Sequence, residues 1–80
     1  MVDRLQGKKV VGIKQATKAI KSGKGDTLYV AKDADERVIN PLIMVADEHE
    51  VTTIFVDTMR ELGRLSGIDV GAAATLIIND

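Results

Sequence analysis

The chain has no cysteine and no tryptophan, and its 80 residues include only one proline, one tyrosine, one phenylalanine and one histidine. Without cysteine there is no disulfide framework, thiolate metal site or thiol nucleophile, a composition that suits a reducing compartment. The two aromatics, Tyr29 and Phe55, both fall in strand-like apolar runs, so the chain cannot build the multi-ring platform on which single-stranded bases stack. If the partner is RNA, it is expected to be folded or helical RNA held by charge, amide dipoles and hydrogen bonds. No apolar run approaches the roughly 20 residues of a membrane span. The charged start, Met1 to Lys9, lacks the apolar stretch of a signal peptide. These features predict one soluble, cytoplasmic domain over residues 1–80 with no membrane partner.

Catalytic sets are also missing. His49 stands alone in Asp47-Glu48-His49-Glu50, with no second imidazole to share a metal, and reads as a surface histidine at a helix end. No Ser–His–Asp arrangement, Walker motif or dinucleotide fingerprint is present. Gly23-Lys24-Gly25-Asp26 follows a helix instead of preceding one, which marks a C-cap and turn. Asp33-Ala34-Asp35-Glu36 lacks calcium-loop spacing. The expectation is a protein that is not an enzyme and takes no metal or other cofactor.

What is present is a marked separation of charge. Residues 1–25 hold Arg4, Lys8, Lys9, Lys14, Lys18, Lys21 and Lys24 against Asp3 alone, a net of +6, while the remainder carries −7. The overall −1 conceals this. A near-neutral chain with one basic edge implies an anionic partner met in a defined orientation.

The hydrophobic period switches between about 2 and about 3.6 along the chain. Val10-Val11 end at Gly12 as a short strand, and Ile13, Ala16 and Ile20 recur at helical spacing until Gly23 and Gly25 stop the helix. Thr27 to Ala31 is a second strand. Val38, Leu42 and Val45 mark a helix whose first turn tolerates Pro41. Val51 to Val56 is the third strand. Thr58 and Glu61 have capping-box spacing for a helix burying Met59, Leu62 and Leu65 and closing at Gly67. Ile68 to Gly71 is a loop, and Ala73 to Ile78 the last strand. A short helix before Lys8 is also expected. Alternating strands and helices, with apolar runs that need not alternate, predict an α/β sheet covered on both faces.

At about 100° per residue, Lys14, Lys18 and Lys21 share one flank of the first long helix, with Gln15 just beyond. The helix start offers unpaired N–H groups and the positive end of the dipole, and Gly12 permits close approach. These residues fit either an anion site or an ordinary solvated lysine face.

Gly12-Ile13-Lys14-Gln15-Ala16-Thr17-Lys18 resembles the Gly-x-Asn-Glu-x-Thr-Lys signature of the kink-turn-binding ribosomal proteins, the L-seven-Ae and L-thirty-e family. Leu28-Tyr29-Val30-Ala31-Lys32-Asp33-Ala34-Asp35 resembles that family's second strand and acidic turn. Leu62-Gly63-Arg64-Leu65-Ser66-Gly67-Ile68-Asp69-Val70 resembles its Leu-Gly-x-x-x-Gly helix end and following RNA-facing loop. The three stretches come in the family's order, and the short chain with its Lys-Gln pair is most similar to the bacterial YbxF-type branch.

The resemblance implies a three-layer α/β/α sandwich around a small four-stranded mixed sheet. It further implies binding to a kink-turn, a sharply bent duplex with tandem sheared G·A pairs whose major groove is opened, unlike that of ordinary A-form RNA. Lys14, Gln15 and Lys18 would then meet guanine edges and nearby phosphates, with Gly12 admitting the RNA backbone and Lys21 completing the RNA-binding set. Lys and Gln can both engage guanine O6 or N7. Thr17 would be core-side or helix-supporting. In the loop, Ile68 and Val70 either plug the sheet edge or supply one side chain that packs on an unstacked nucleotide. Asp69 would cap or orient the loop. Arg64 would serve the helix dipole or an RNA phosphate.

Two departures bear on affinity. Lys14-Gln15 in place of Asn-Glu removes a carboxylate and adds charge, favouring phosphate attraction over base discrimination. Gly71, where relatives often have proline or a bulkier residue, adds ordering entropy to the loop. The implied partner is structured RNA, ribosomal RNA foremost, with association to the ribosome and a monomeric state. The other reading open to this sequence is a protein-interaction module of the same fold, using its acidic surface.

Overall fold

The computed structural model describes residues 7–78; the short helix expected before Lys8 lies outside them. In chain order the elements are β1 (Lys8–Val11), α1 (Ile13–Lys21), β2 (Gly25–Ala31), α2 (Glu36–Glu48), β3 (Thr52–Val56), α3 (Met59–Leu65) and β4 (Ala74–Ile78). The strands lie in the order β1-β4-β2-β3. β2 and β3 are parallel, while β4 runs antiparallel to both β1 and β2. This is the expected mixed four-stranded sheet.

Strand periodicity divides the core between two faces. Leu28 and Val30 of β2, with Ala74 and Leu76 of β4, pack with Ala16 and Ile20 of α1 and Leu42 and Ala46 of α2. The alternate β2 residues, Tyr29 and Ala31, join Leu62 of α3 and Val56 of β3 on the other face. There the Ser66 hydroxyl, at the end of α3, shares a buried 2.6 Å hydrogen bond with the Thr75 hydroxyl of β4. Two helices on one face and one on the other give the predicted α/β/α sandwich. No helix among the described residues is long and apolar enough to cross a membrane.

All three helices end in a Schellman turn. In α1, Gly23 and Lys24 donate to the Ile20 and Ala19 carbonyls. In α3, Gly67 and Ile68 donate to Arg64 and Gly63. In α2, Glu50 and Val51 donate to Asp47 and Ala46. The left-handed residue is glycine in the first two, but in α2 it is Glu50, with φ of 59°.

Several expectations are corrected. α2 begins at Glu36, so Pro41 sits in its second turn and not its first. The reason is upstream: the Asp35 carboxylate accepts from Arg37 N at 2.9 Å and starts the helix early. Pro41 is exposed, so water can satisfy the Arg37 carbonyl that it leaves without an N–H. Val38 and Met59, expected to be inward, are 44% and 37% exposed. Ile39 takes the inward position at the start of α2, and Leu62 alone of the three α3 residues is fully buried, because α3 is only seven residues long. Half of the capping box at Thr58 forms: its hydroxyl accepts from Glu61 N at 3.0 Å, while the Glu61 carboxylate turns to Arg64.

Candidate nucleic-acid interface

Gly12 joins β1 to α1 with φ 112° and ψ 154°, a backbone region essentially reserved for glycine. Its N–H donates to the Ala74 carbonyl and its own carbonyl accepts from Ala16 N, both at 3.0 Å. The turn is therefore clamped to β4 while it launches the helix. A Cβ placed on Gly12 would meet nothing within 4 Å, so glycine is required by the backbone, and the space outside it is open. No side chain caps this helix start and no acid occupies its first turn. Its N–H groups, at the positive end of the helix dipole, are thus without a side-chain partner among the described residues.

Lys14, Gln15, Lys18 and Lys21 are all exposed. Ile13, Lys14, Thr17, Lys18, Lys21 and Ser22 line a shallow groove of about 470 Å³. Gln15 lies across the Lys18 ridge, in a second depression shared with Lys24, Val10 and Ile78. Lys18 borders both. Thr17 donates its hydroxyl to the Ile13 carbonyl at 2.8 Å, so it supports the helix. Among the described residues, Lys14, Lys18 and Lys21 form no ion pair, whereas Lys32, Arg37 and Arg64 are held by Asp57, Asp35 and Glu61. Among the described residues, no ion pair cancels the positive charge of α1.

The second segment reaches the same end of the sheet through β4. Val11 pairs with Thr75, so the end of β1 and the loop entering β4 are adjacent. The loop is fixed on α3 by Ile68 N to the Gly63 carbonyl at 3.0 Å and Ala72 N to the Met59 carbonyl at 2.9 Å. Gly63 makes this possible: a Cβ there would collide with the Val70 carbonyl and lie 3.1 Å from Gly71 Cα. Ile68 packs against the α3-side core, while Val70 is 70% exposed. Of the two apolar loop residues, Ile68 is the plug and Val70 the one presented outward. Asp69 is exposed and forms no hydrogen bond among the described residues, so no bond of its own caps or orients the loop as expected. Asp33 accepts from Met59 N at 2.7 Å and fixes the start of α3 from 26 residues away.

Arg64 is drawn along its own helix by Glu61, with Nη2–Oε1 of 2.6 Å and Nε–Oε2 of 3.2 Å. The hydrogen bond from Arg64 holds the Glu61 carboxyl below its usual range. Arg60, which sequence reasoning passed over, is exposed and has no ion pair among the described residues. It lines a cleft with Thr58, Arg64, Ile68 and Val70. Its one sequence signal was the Arg60–Arg64 spacing of a helical turn. Lys24, in sequence only one more positive charge of the first third, lines the depression that holds Gln15. Among the described residues no group of three or more His, Cys, Asp or Glu converges to hold a metal ion.

Comparison with known proteins bears on the family and the fold. Residues 2–80 match the model of the ribosomal protein L7Ae/L30e/S12e/Gadd45 family. The chain is 44% identical over 73 residues to RNA-binding protein TTE2299 of Caldanaerobacter subterraneus subsp. tengcongensis, covering 91% of this chain and 89% of that one. It is 42% identical over 72 residues to RNA-binding protein YbxF of Geobacillus stearothermophilus, covering 90% and 88%. In three dimensions it resembles the Giardia lamblia 15.5kD RNA binding protein with a TM-score of 0.84. That match is 23% identical in sequence and covers 90% of this chain and 61% of the other, which bears on the fold alone.

Proposed function

Because the chain belongs to the ribosomal protein L7Ae/L30e/S12e/Gadd45 family, we propose that it is a non-enzymatic RNA-binding protein that recognises kink-turn RNA and associates with the ribosome. The observation that carries this reading is the set of lysines Lys14, Lys18 and Lys21, which form no ion pair among the described residues, beside the open helix start at Gly12. Phosphates meet the α1 amides and lysines, Lys14 and Gln15 reach guanine edges, and Val70 packs on an unstacked nucleotide. The opened major groove of a kink-turn admits α1, which an undistorted A-form groove excludes. Arg60 borders the loop and contributes charge there beside the Glu61-paired Arg64, Ile68 setting the loop's height from below.

The test is a salt-controlled titration against a kink-turn RNA and a twin in which the tandem G·A pairs are disrupted. Lys18→Ala is expected to weaken binding to both RNAs and lower the salt slope by about one. Gln15→Ala is expected to narrow the gap between them. Equal binding of the parent protein to both RNAs would overturn the base-reading claim and leave only a general electrostatic patch.

A further inference from the structure

β3 is an edge strand: the order β1-β4-β2-β3 leaves nothing beyond it among the described residues. Natural edges are usually blunted by charge, proline, a bulge or a covering element. Thr52-Thr53-Ile54-Phe55-Val56 has none of the sequence devices. Its two large side chains are left in solvent, Ile54 at 42% and Phe55 at 51% exposure, and Met44 on the neighbouring α2 at 67%. Between α2 and the start of β3 lies a groove of about 490 Å³, lined by Ile43, Met44, Asp47, Glu50, Thr52 and Thr53. Its apolar floor and two carboxylates match the alkyl stem and cationic head of a lysine or arginine.

We propose that the β3 edge is a docking site for an extended, basic segment of a partner protein, added as a fifth strand with a Lys or Arg side chain in the Asp47–Glu50 groove. Main-chain hydrogen bonds to β3 supply affinity, and alternate side chains supply specificity. Charge complementarity selects this occupant. The last turn of α2 contains no base, and Asp47 and Glu50 have no ion pair among the described residues. RNA is repelled from this surface. A second copy is disfavoured too, since antiparallel pairing of two β3 strands about Ile54 brings Glu50 of each towards Asp57 of the other, like charge against like. β3 lies at the opposite edge of the sheet from β1, whose end adjoins the lysine flank. Both faces can therefore be occupied together, and the proposal does not rest on the RNA reading.

The experiment uses a peptide that alternates lysine with threonine and valine, an otherwise identical glutamate peptide, and amide NMR with hydrogen exchange on the full chain. The lysine peptide is expected to shift the Thr52–Val56 amides and protect them from exchange, binding at least tenfold more tightly than the glutamate peptide. Glu50→Gln with Asp47→Asn is expected to weaken it about tenfold, Ile54→Lys to abolish strand protection, and Glu36→Gln to change neither. Shifts spread over all acidic residues without β3 protection would overturn the proposal in favour of diffuse electrostatics. Concentration-dependent β3 protection without peptide would overturn it in favour of self-pairing, and no shift at all would overturn it outright. Folding of each variant is checked by circular dichroism, and the conservative pair keeps the test valid if Ile54→Lys unfolds.

Discussion

Gly63→Ala sets two rules against each other. Gly63 is inside α3, and helix propensity alone makes alanine better by about 1 kcal/mol. The structure predicts the reverse sign. The added methyl would collide with the Val70 carbonyl, with Val70 C at 3.0 Å and Gly71 Cα at 3.1 Å, all of it main chain that no rotamer change can move aside. Ordinary carbon contacts begin near 3.5 Å, so the loop must withdraw from the helix. That loop is held by the Ile68–Gly63 and Ala72–Met59 hydrogen bonds, and losing one costs about 0.5–1.5 kcal/mol net. Overpacking adds about 1–3 kcal/mol. After the propensity gain, a loss of about 2 kcal/mol remains, a fall in Tm of roughly 8–16 °C for a domain of this size. Urea and thermal unfolding followed by circular dichroism measure it, with faster exchange of the Ala72 amide as the local signature. In the proposed RNA interface Val70 would be displaced, so the kink-turn affinity proposed above is expected to fall as well. A variant as stable as the parent, or more stable, would refute the packing argument.

Three further outcomes follow from the same structure. Thr75→Val strands the buried Ser66 hydroxyl and should cost about 1–3 kcal/mol, most of it recovered when Ser66→Ala is added; a double variant no better than the single one would contradict the pairing. Glu50→Gly relieves the left-handed backbone at φ 59° and should raise the unfolding free energy by up to about 1 kcal/mol after the unfolded-state entropy of glycine is allowed for, a lower urea midpoint instead showing that the side chain stabilises the turn. Glu61 is held below its usual pKa by the Arg64 hydrogen bond. Its contribution is therefore present above the ordinary carboxylate pKa and lost as pH falls through the depressed folded value. An NMR titration of the Glu61 carboxyl checks this, a midpoint at or above the ordinary value contradicting it.

Period changes of about 2 and 3.6, glycine stops and capping residues are written in short windows, and they determined the element order and the α/β class directly from sequence. So did the basic first third, since charge needs no contact to be counted, and the Gly12 to Lys18 stretch that carries the family resemblance. Tertiary structure decided what depends on elements distant in sequence. Asp33 caps α3 across 26 residues, a bond invisible to any local pattern, and Asp35 starts α2 early enough to move Pro41 into its second turn. Met59 was expected inward by spacing, yet a seven-residue helix covers too little of the sheet to bury all three apolar side chains. Which of Ile68 and Val70 faces outward depended on how closely Gly63 lets the loop approach. Likewise, every lysine looks alike in a sequence, and only the fold separates Lys32, held by Asp57, from Lys14, Lys18 and Lys21, which meet no carboxylate among the described residues. Local propensity selects the elements, but the exposure and pairing of a side chain are set by what the sheet order brings beside it.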